Sequence, residues 1–180
     1  QVWVQPFAEG IALNIAGGNF QPSGADGSSV FVTNNAKEVA LAVTGGYFAT
    51  KIGASVPANL AGSVIGGTYA SSAKENTPAD LYAGYMFVQN GENYILEECP
   101  VKVGESAYYA TLAEAVKAVK EGETITIRAG KTLEEGTVKL PSTLKDVTFV
   151  GEEGATLKDM TVSAADGNSV VKYNTFDGVT

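Results

Sequence analysis

Histidine is missing from this 180-residue sequence, and cysteine occurs once, as Cys99. Without an imidazole there is no Ser-His-Asp or Cys-His nucleophile system, and most zinc sites are excluded. A lone cysteine closes no internal disulfide and builds no thiolate metal cluster. Cations are also scarce. Arg128 is the only arginine, and the formal net charge is −8. Nucleic-acid binding depends on clustered Lys and Arg against phosphates, so it is not expected, and anionic membranes are disfavoured by the same sign. No apolar run approaches the roughly 18–20 residues that span a bilayer, so no membrane insertion is expected. Gln1 opens the chain without a basic-then-apolar leader.

Glycine, by contrast, is abundant at 21 residues, and the hydrophobic content of 44% is ample for a core. Much of that glycine lies in one recurring phrase: "IALNIAGGNF" from Ile11, "VALAVTGGYF" from Val39 and "AGSVIGGTYA" from Ala61. The first glycines of the pairs are residues 17, 45 and 66, spaced by 28 and 21. Repeats of about this period are typical of stacked units. Each phrase reads as an apolar strand, a glycine corner and an aromatic (Phe20, Phe48 or Tyr69) that stacks on its counterpart in the next coil. "KEVALAV" sets Val39, Leu41 and Val43 on one side and small alanines on the other, and small inward residues suit a tight coil. An antiparallel sandwich with glycine-rich hairpins remains an alternative. "YMFVQ" and "NYILE", joined through Asn90-Gly91, read as a hairpin that closes the open end.

A second unit begins at "YYATLAEAVKAVKEGETITI". Thr111 and Glu114 form a capping box, Leu112, Ala115, Val116 and Val119 share one face, and Gly122 ends the helix, which is expected over Thr111 to Lys120. That helix is expected to cover the open edge of the first coil, strand "TITI". Ile125, Val147 and Val170, spaced by 22 and 23, set the expected coil register, with Ile127 and Phe149 sharing their interior.

The stretch "YYATLAEAVKAVKEGETITIRAG…VTFVGEEGATL" resembles the start of a right-handed parallel β-helix of the pectin-lyase-like kind in large cell-surface, adhesin-like proteins of gut bacteria. "VIGGTYASSAKENTPADLYAGYMFVQNGENYIL" is similar to the closing segment of such units. The resemblance implies an all-β fold of parallel β-helix or β-solenoid sections with one short capping α-helix and a terminal β-hairpin. Residues 1–97 are then the end of an N-terminal solenoid section closed by the hairpin, 98–106 a junction, and 107–180 the helix-capped start of a second β-helix. It also implies secretion or display on a cell surface within a longer protein.

β-Helix enzymes that cleave acidic polysaccharides resemble one another in gathering aspartates, often with calcium and a basic residue, on one face. The corresponding residues here are Asp146, Asp159, Asp166 and Asp177, with Lys145, Lys158, Lys172 and Arg128. Paired carboxylates need to converge within roughly 5–10 Å. Asp159 and Asp177 are 18 residues apart, short of a full coil, and each sits before an apolar strand, in "KDMTV" and "FDGVT", where a corner aspartate caps its own turn. "GADGSS" and "AADGNS" lack the ligand ladder of a calcium loop, and the glutamates of "GEEGATL" and "EEGTV" read as solvent-facing. Tyr47, Phe48, Tyr69, Tyr82 and Tyr85 suit either corner packing or a sugar-stacking platform.

No catalytic, cofactor-binding or metal-binding residue is therefore assigned. The function expected is a non-enzymatic extracellular structural or adhesive module, with glycans or other surface proteins as partners and end-to-end self-association. The alternatives are a carbohydrate-active β-helix enzyme or binding domain, and a subunit of an extracellular or phage fibre. Cys99 is expected to be partly buried and unreactive, having no cation next to it in the sequence.

Overall fold

The computed structural model describes residues 1–4, 10–22, 27–33, 39–53, 60–141, 144, 146–164 and 175–177. Strand is the main regular structure among these residues, with two short α-helices, and the chain divides into two units, Gln1–Glu98 and Cys99–Thr180. No helix among the described residues is long and apolar enough to cross a membrane.

The first unit contains β1 (Val2–Val4), β2 (Ala12–Phe20), β3 (Val30–Val32), β4 (Ala40–Phe48), β5 (Thr68–Tyr69), α1 (Ser71–Asn76), β6 (Tyr85–Asn90) and β7 (Asn93–Glu98). β2 pairs with β4 in parallel, Phe20 opposite Phe48, and β4 pairs with β5 in parallel, Phe48 opposite Tyr69. Those partners are 28 and 21 residues apart, the spacings of the glycine pairs. β1 and β3 pair in parallel at the same offset of 28, and Val30 bridges onward to Ile52. Val39, Leu41 and Val43 are buried while Ala40 is exposed, so the large side chains, not the alanines, fill the interior.

The first two glycine pairs are not corners, while Gly66-Gly67 lies just before β5. β2 and β4 run unbroken through Gly17-Gly18 and Gly45-Gly46, with register shifts on either side of Ala16. The second glycine of each pair adopts the same left-handed backbone, φ 110° at Gly18, 111° at Gly46 and 112° at Gly67. This is bulge geometry, and a bulge kinks a strand without ending it. A glycine pair after an apolar run has the composition of a corner, yet between β2 and β4 the ladder resumes at the following residues, Asn19 opposite Tyr47 and Phe20 opposite Phe48.

β7 pairs antiparallel with β5, and β6 with β7, so the parallel run is closed on that side by a hairpin. Its two-residue turn is Gly91-Glu92, between the paired Asn90 and Asn93, one residue later than expected. Gly91, at φ 63°, supplies the positive φ that a tight hairpin needs at its first central position. α1 is a second helix the sequence reading did not anticipate. Its Ala70 N-cap makes no side-chain hydrogen bond, leaving no capping signature, and its buried Ala73 packs with the core.

The second unit contains β8 (Val101–Val103), β9 (Ala107–Tyr109), α2 (Leu112–Ala118), β10 (Thr124–Ile127), β11 (Thr132–Leu133), β12 (Thr137–Leu140), β13 (Thr148–Gly151), β14 (Thr156–Leu157), β15 (Thr161–Ala164) and β16 (Thr175–Asp177). The pairs β10–β13, β11–β14 and β12–β15 are all parallel, and all join residues 24 apart. The expected 22-residue register is thus corrected: Ile125 lies opposite Phe149, not Val147, and Phe149 opposite Phe176, 27 residues on. Ile125, Ile127, Val147 and Phe149 do share one core; Val170 lies outside the described residues. The error arose because Val147, buried just before its strand, mimics an in-strand position.

Residues 98–106, read as a turn-like junction, contain β8, which pairs antiparallel with both β9 and β10. The backbone edge of β10 is therefore covered by β8 and not by the helix. α2 covers side chains instead: Leu112, Ala115 and Val116 are buried against Val101, Val103, Ile125 and Ile127. It is also shorter than expected, ending at Val119 with an extended backbone.

Candidate functional site

The residues with chemistry to offer are the aromatics of the first unit and the carboxylates of the second. In the first unit, Phe20 and Phe48 stack with ring centroids 5.1 Å apart and planes 5° from parallel, and Phe48 stacks on Tyr69 at 5.1 Å and 21°. Phe87 of the hairpin meets Tyr69 edge-on at 5.0 Å, and Tyr82 meets Phe87 at 4.8 Å. Parallel pairing in register sets one ring above the next, and each such pair contributes about 0.5–1.5 kcal/mol beyond area burial. Phe48 and Tyr69 are fully buried, so they offer no face to a sugar. Tyr47, Tyr82 and Tyr85 are half-buried, and Tyr82 is engaged by Phe87.

Tyr69 donates its hydroxyl hydrogen to the Gly66 carbonyl oxygen at 2.7 Å, which satisfies its one polar atom inside the core. Burial pushes its pKa well above the usual tyrosine value, since phenolate cannot be solvated there. Polar side chains elsewhere in this unit also serve the backbone. Ser29 Oγ donates to the Phe20 carbonyl at 3.0 Å and accepts from Thr50 N at 3.2 Å, and Thr77 Oγ1 donates to Ala73 O and accepts from Ile52 N.

In the second unit Asp146 and Asp159 are exposed and take left-handed backbone conformations, φ 52° and 49°, each two residues before a strand. Aspartate is one of the few side chains that tolerates this region, so both mark bends. The topology also separates them. Asp146 leads into β13, in the sheet with β10 and β16, whereas Asp159 leads into β15, paired with β12. Asp177 lies in β16, its backbone opposite Val150; Asp166, Lys145 and Lys172 fall outside the described residues, as do "AADGNS" after Ala164 and the Gly24–Asp26 part of "GADGSS". Lys158 pairs with Glu134 at 2.7 Å on an exposed surface, a contact of little energetic weight. Among the described residues, no three His, Cys, Asp or Glu are grouped to hold a metal ion.

Glu134, Glu152 and Glu153 are exposed, as expected, whereas Glu135 is half-buried and turned to a helix. Glu135 accepts from the backbone N–H groups of both Leu112 and Ala113, at 2.6 and 3.0 Å, joining Thr111 in capping α2. Glu152 accepts from Ala129 N at 2.8 Å, and Glu123 from Lys120 N at 2.8 Å. Glu135 and Glu152 each act across 22–23 residues, so only a reading framed on the repeat length would have found them. Cys99 is buried, and burial pushes its thiol pKa up, partly countered by Arg128, whose guanidinium donates to the Cys99 carbonyl at 3.3 Å. A cation is thus close in space although not in sequence.

No family model matches the chain, and neither a curated protein nor a solved structure does. The likeness to β-helical surface proteins rests on the residues quoted for it.

Proposed function

We propose that the protein is a non-enzymatic structural or adhesive module of a longer secreted or surface-anchored protein, each unit being a section of parallel β-helix. The coiled path is supported by the shared 24-residue offset of three parallel pairs in the second unit and the shared 28-residue offset of two in the first. A chain that advances one strand position in every sheet per repeat is wound, and stacked repeats hold one another through nearest neighbours.

The observation that carries the functional reading is the use to which the repeats put their chemistry. Rings are stacked on rings, hydroxyls and carboxylates are spent on backbone N–H and C=O groups one repeat away, and Asp146 and Asp159 shape bends on different sheets. Catalysis needs convergent groups, and a fold shared with carbohydrate-active enzymes does not bring their activity with it. The role left to such a body is mechanical: to hold a contact surface for glycans or other surface proteins away from a cell.

The test incubates purified protein with uronate-containing and neutral polysaccharides, with and without calcium, and follows both chain cleavage and retention on the polymer. Retention without cleavage is expected. Cleavage that disappears in Asp146→Asn or Asp159→Asn would replace this reading with an enzymatic one.

A further inference from the structure

β2 is an edge strand: it pairs with β4, and no described residue pairs with its other side. That free side carries contacts already prepared for a neighbour, as the glycines show. A β-carbon at Gly45 would run into the carbonyl oxygen of Ala16, the residue before the preceding glycine pair, and one at Gly66 into that of Thr44. The second glycines meet the preceding repeat's ring: a β-carbon at Gly46 would lie 3.2 Å from Phe20, and one at Gly67 2.9 Å from Phe48. Glycine is thus required at 45 and 66 because the previous strand passes so close. Gly17 and Gly18 repeat the same pair, yet a β-carbon at Gly17 would have nothing within 4 Å, and one at Gly18 only its own Phe20. Gly17 also has no left-handed φ to explain it.

We propose that the free edge of β2 docks one more parallel β-strand, supplied by polypeptide outside these 180 residues and carrying the order x-Gly-Gly-x-aromatic. The carbonyl before its glycine pair passes over Gly17, and its ring stacks on Phe20, which is half-buried. The docked strand continues an interface the molecule already builds twice, β2 on β4 and β4 on β5, with the same direction and register. A second copy cannot supply it. In the strands that carry this order the edge that would be needed is occupied, by β4 on β2, by β5 on β4 and by β7 on β5.

The partner is uncharged, because the edge is. β2 reads "ALNIAGGNF", and Glu9 and Asp26 are the only charged residues in 1–36 of a chain with 32. Neither lysine nor proline guards the strand, as edges meant to stay free usually require. Ile11, which immediately precedes the strand, is 41% exposed. Main-chain hydrogen bonds provide the affinity in such strand addition, and the ring and the glycine gap provide selectivity. The inference rests on the pairing of β2, β4 and β5 and not on the role proposed for the module.

The probe is a fluorescent synthetic peptide of the chain's own repeat, "VALAVTGGYFAT", titrated into the 180-residue protein and followed by anisotropy. Saturable binding is expected, weakened roughly tenfold or more by Gly17→Val, a substitution that fits the open space at 17 and leaves the thermal midpoint in place. A peptide with Ser in place of its Phe should bind more weakly to both proteins. Absence of binding, or equal binding by wild type and Gly17→Val, overturns the proposal. So does concentration-dependent self-association of wild type without peptide that Gly17→Val abolishes, which would assign the edge to a second copy.

Discussion

At the scale of single residues, the glycine pairs divide the work. At 45 and 66 the first glycine lets the preceding strand's carbonyl pass, and in all three pairs the second adopts a φ that side chains rarely accept. Gly45→Ala must displace backbone and should cost about 1–3 kcal/mol as overpacking. Gly17→Ala meets open space and should be neutral or slightly stabilising, by up to ~1 kcal/mol through the unfolded chain. Denaturant unfolding of the two variants checks this, and equal losses would mean that close approach is not what selects glycine. Tyr69 gives the pH prediction. Its pKa is raised on folding by burial, so the folded state keeps a proton that the unfolded chain loses near pH 10. Stability is complete below that value and falls as pH rises above it. Tyr69→Phe loses the bond to Gly66 and about 1 kcal/mol at neutral pH, but its thermal midpoint should decline less between pH 9 and 11. Parallel declines for both proteins would remove Tyr69 as the cause.

Among the elements, α2 depends on a partner from outside its own sequence. Thr111 caps Glu114 N, whereas Leu112 N and Ala113 N are satisfied by Glu135, which precedes β12. A carboxylate at a helix N-terminus gains from both hydrogen bonding and the macrodipole. Glu135→Ala should therefore destabilise the second unit by about 1–2 kcal/mol, with Glu135→Gln in between. Urea unfolding monitored at residues of that unit is the measurement. If Glu135→Ala were neutral, water would be serving those N–H groups as well. The two closing hairpins show the same economy: β7 with β6, and β8 with β9, each lay an antiparallel strand along a parallel one, so the edge of the parallel run is covered and the outermost strand is β6 or β9. Turn and edge are solved together, without a dedicated cap.

For the whole molecule, each unit has a core drawn from its own residues, Val4 to Leu81 in one and Val101 to Ala155 in the other. Replacing Leu112 and Val116 with Asp removes two buried side chains, each contributing about 1.5–3 kcal/mol, and adds buried charge. Because stacked repeats are stabilised mainly by neighbours, the damage should spread through 99–180 while Gln1–Glu98 persists as a protected fragment in limited proteolysis. If both halves are digested together, the cores cooperate and the division into two units has no energetic meaning.

Much of this is legible in the sequence alone. The lack of histidine, the β-rich composition, the offsets of 28 and 21, the ring-on-ring column and the Thr111 cap of α2 all follow from local codes: side-chain type, alternation, a capping residue, a repeated phrase. What sequence could not decide are the relations between one repeat and the next. Whether a glycine pair bends the chain or admits a neighbour's carbonyl, whether Val147 or Phe149 faces Ile125, whether Glu135 points to water or to a helix 22 residues earlier, and whether β8 or α2 takes the edge of β10 are settled by contacts over 20 residues or more. Such contacts leave no periodic mark within a strand of four residues. A one- or two-residue slip in register changes every partner while leaving each strand's own pattern intact, so the strands were readable singly and their stacking required the tertiary fold.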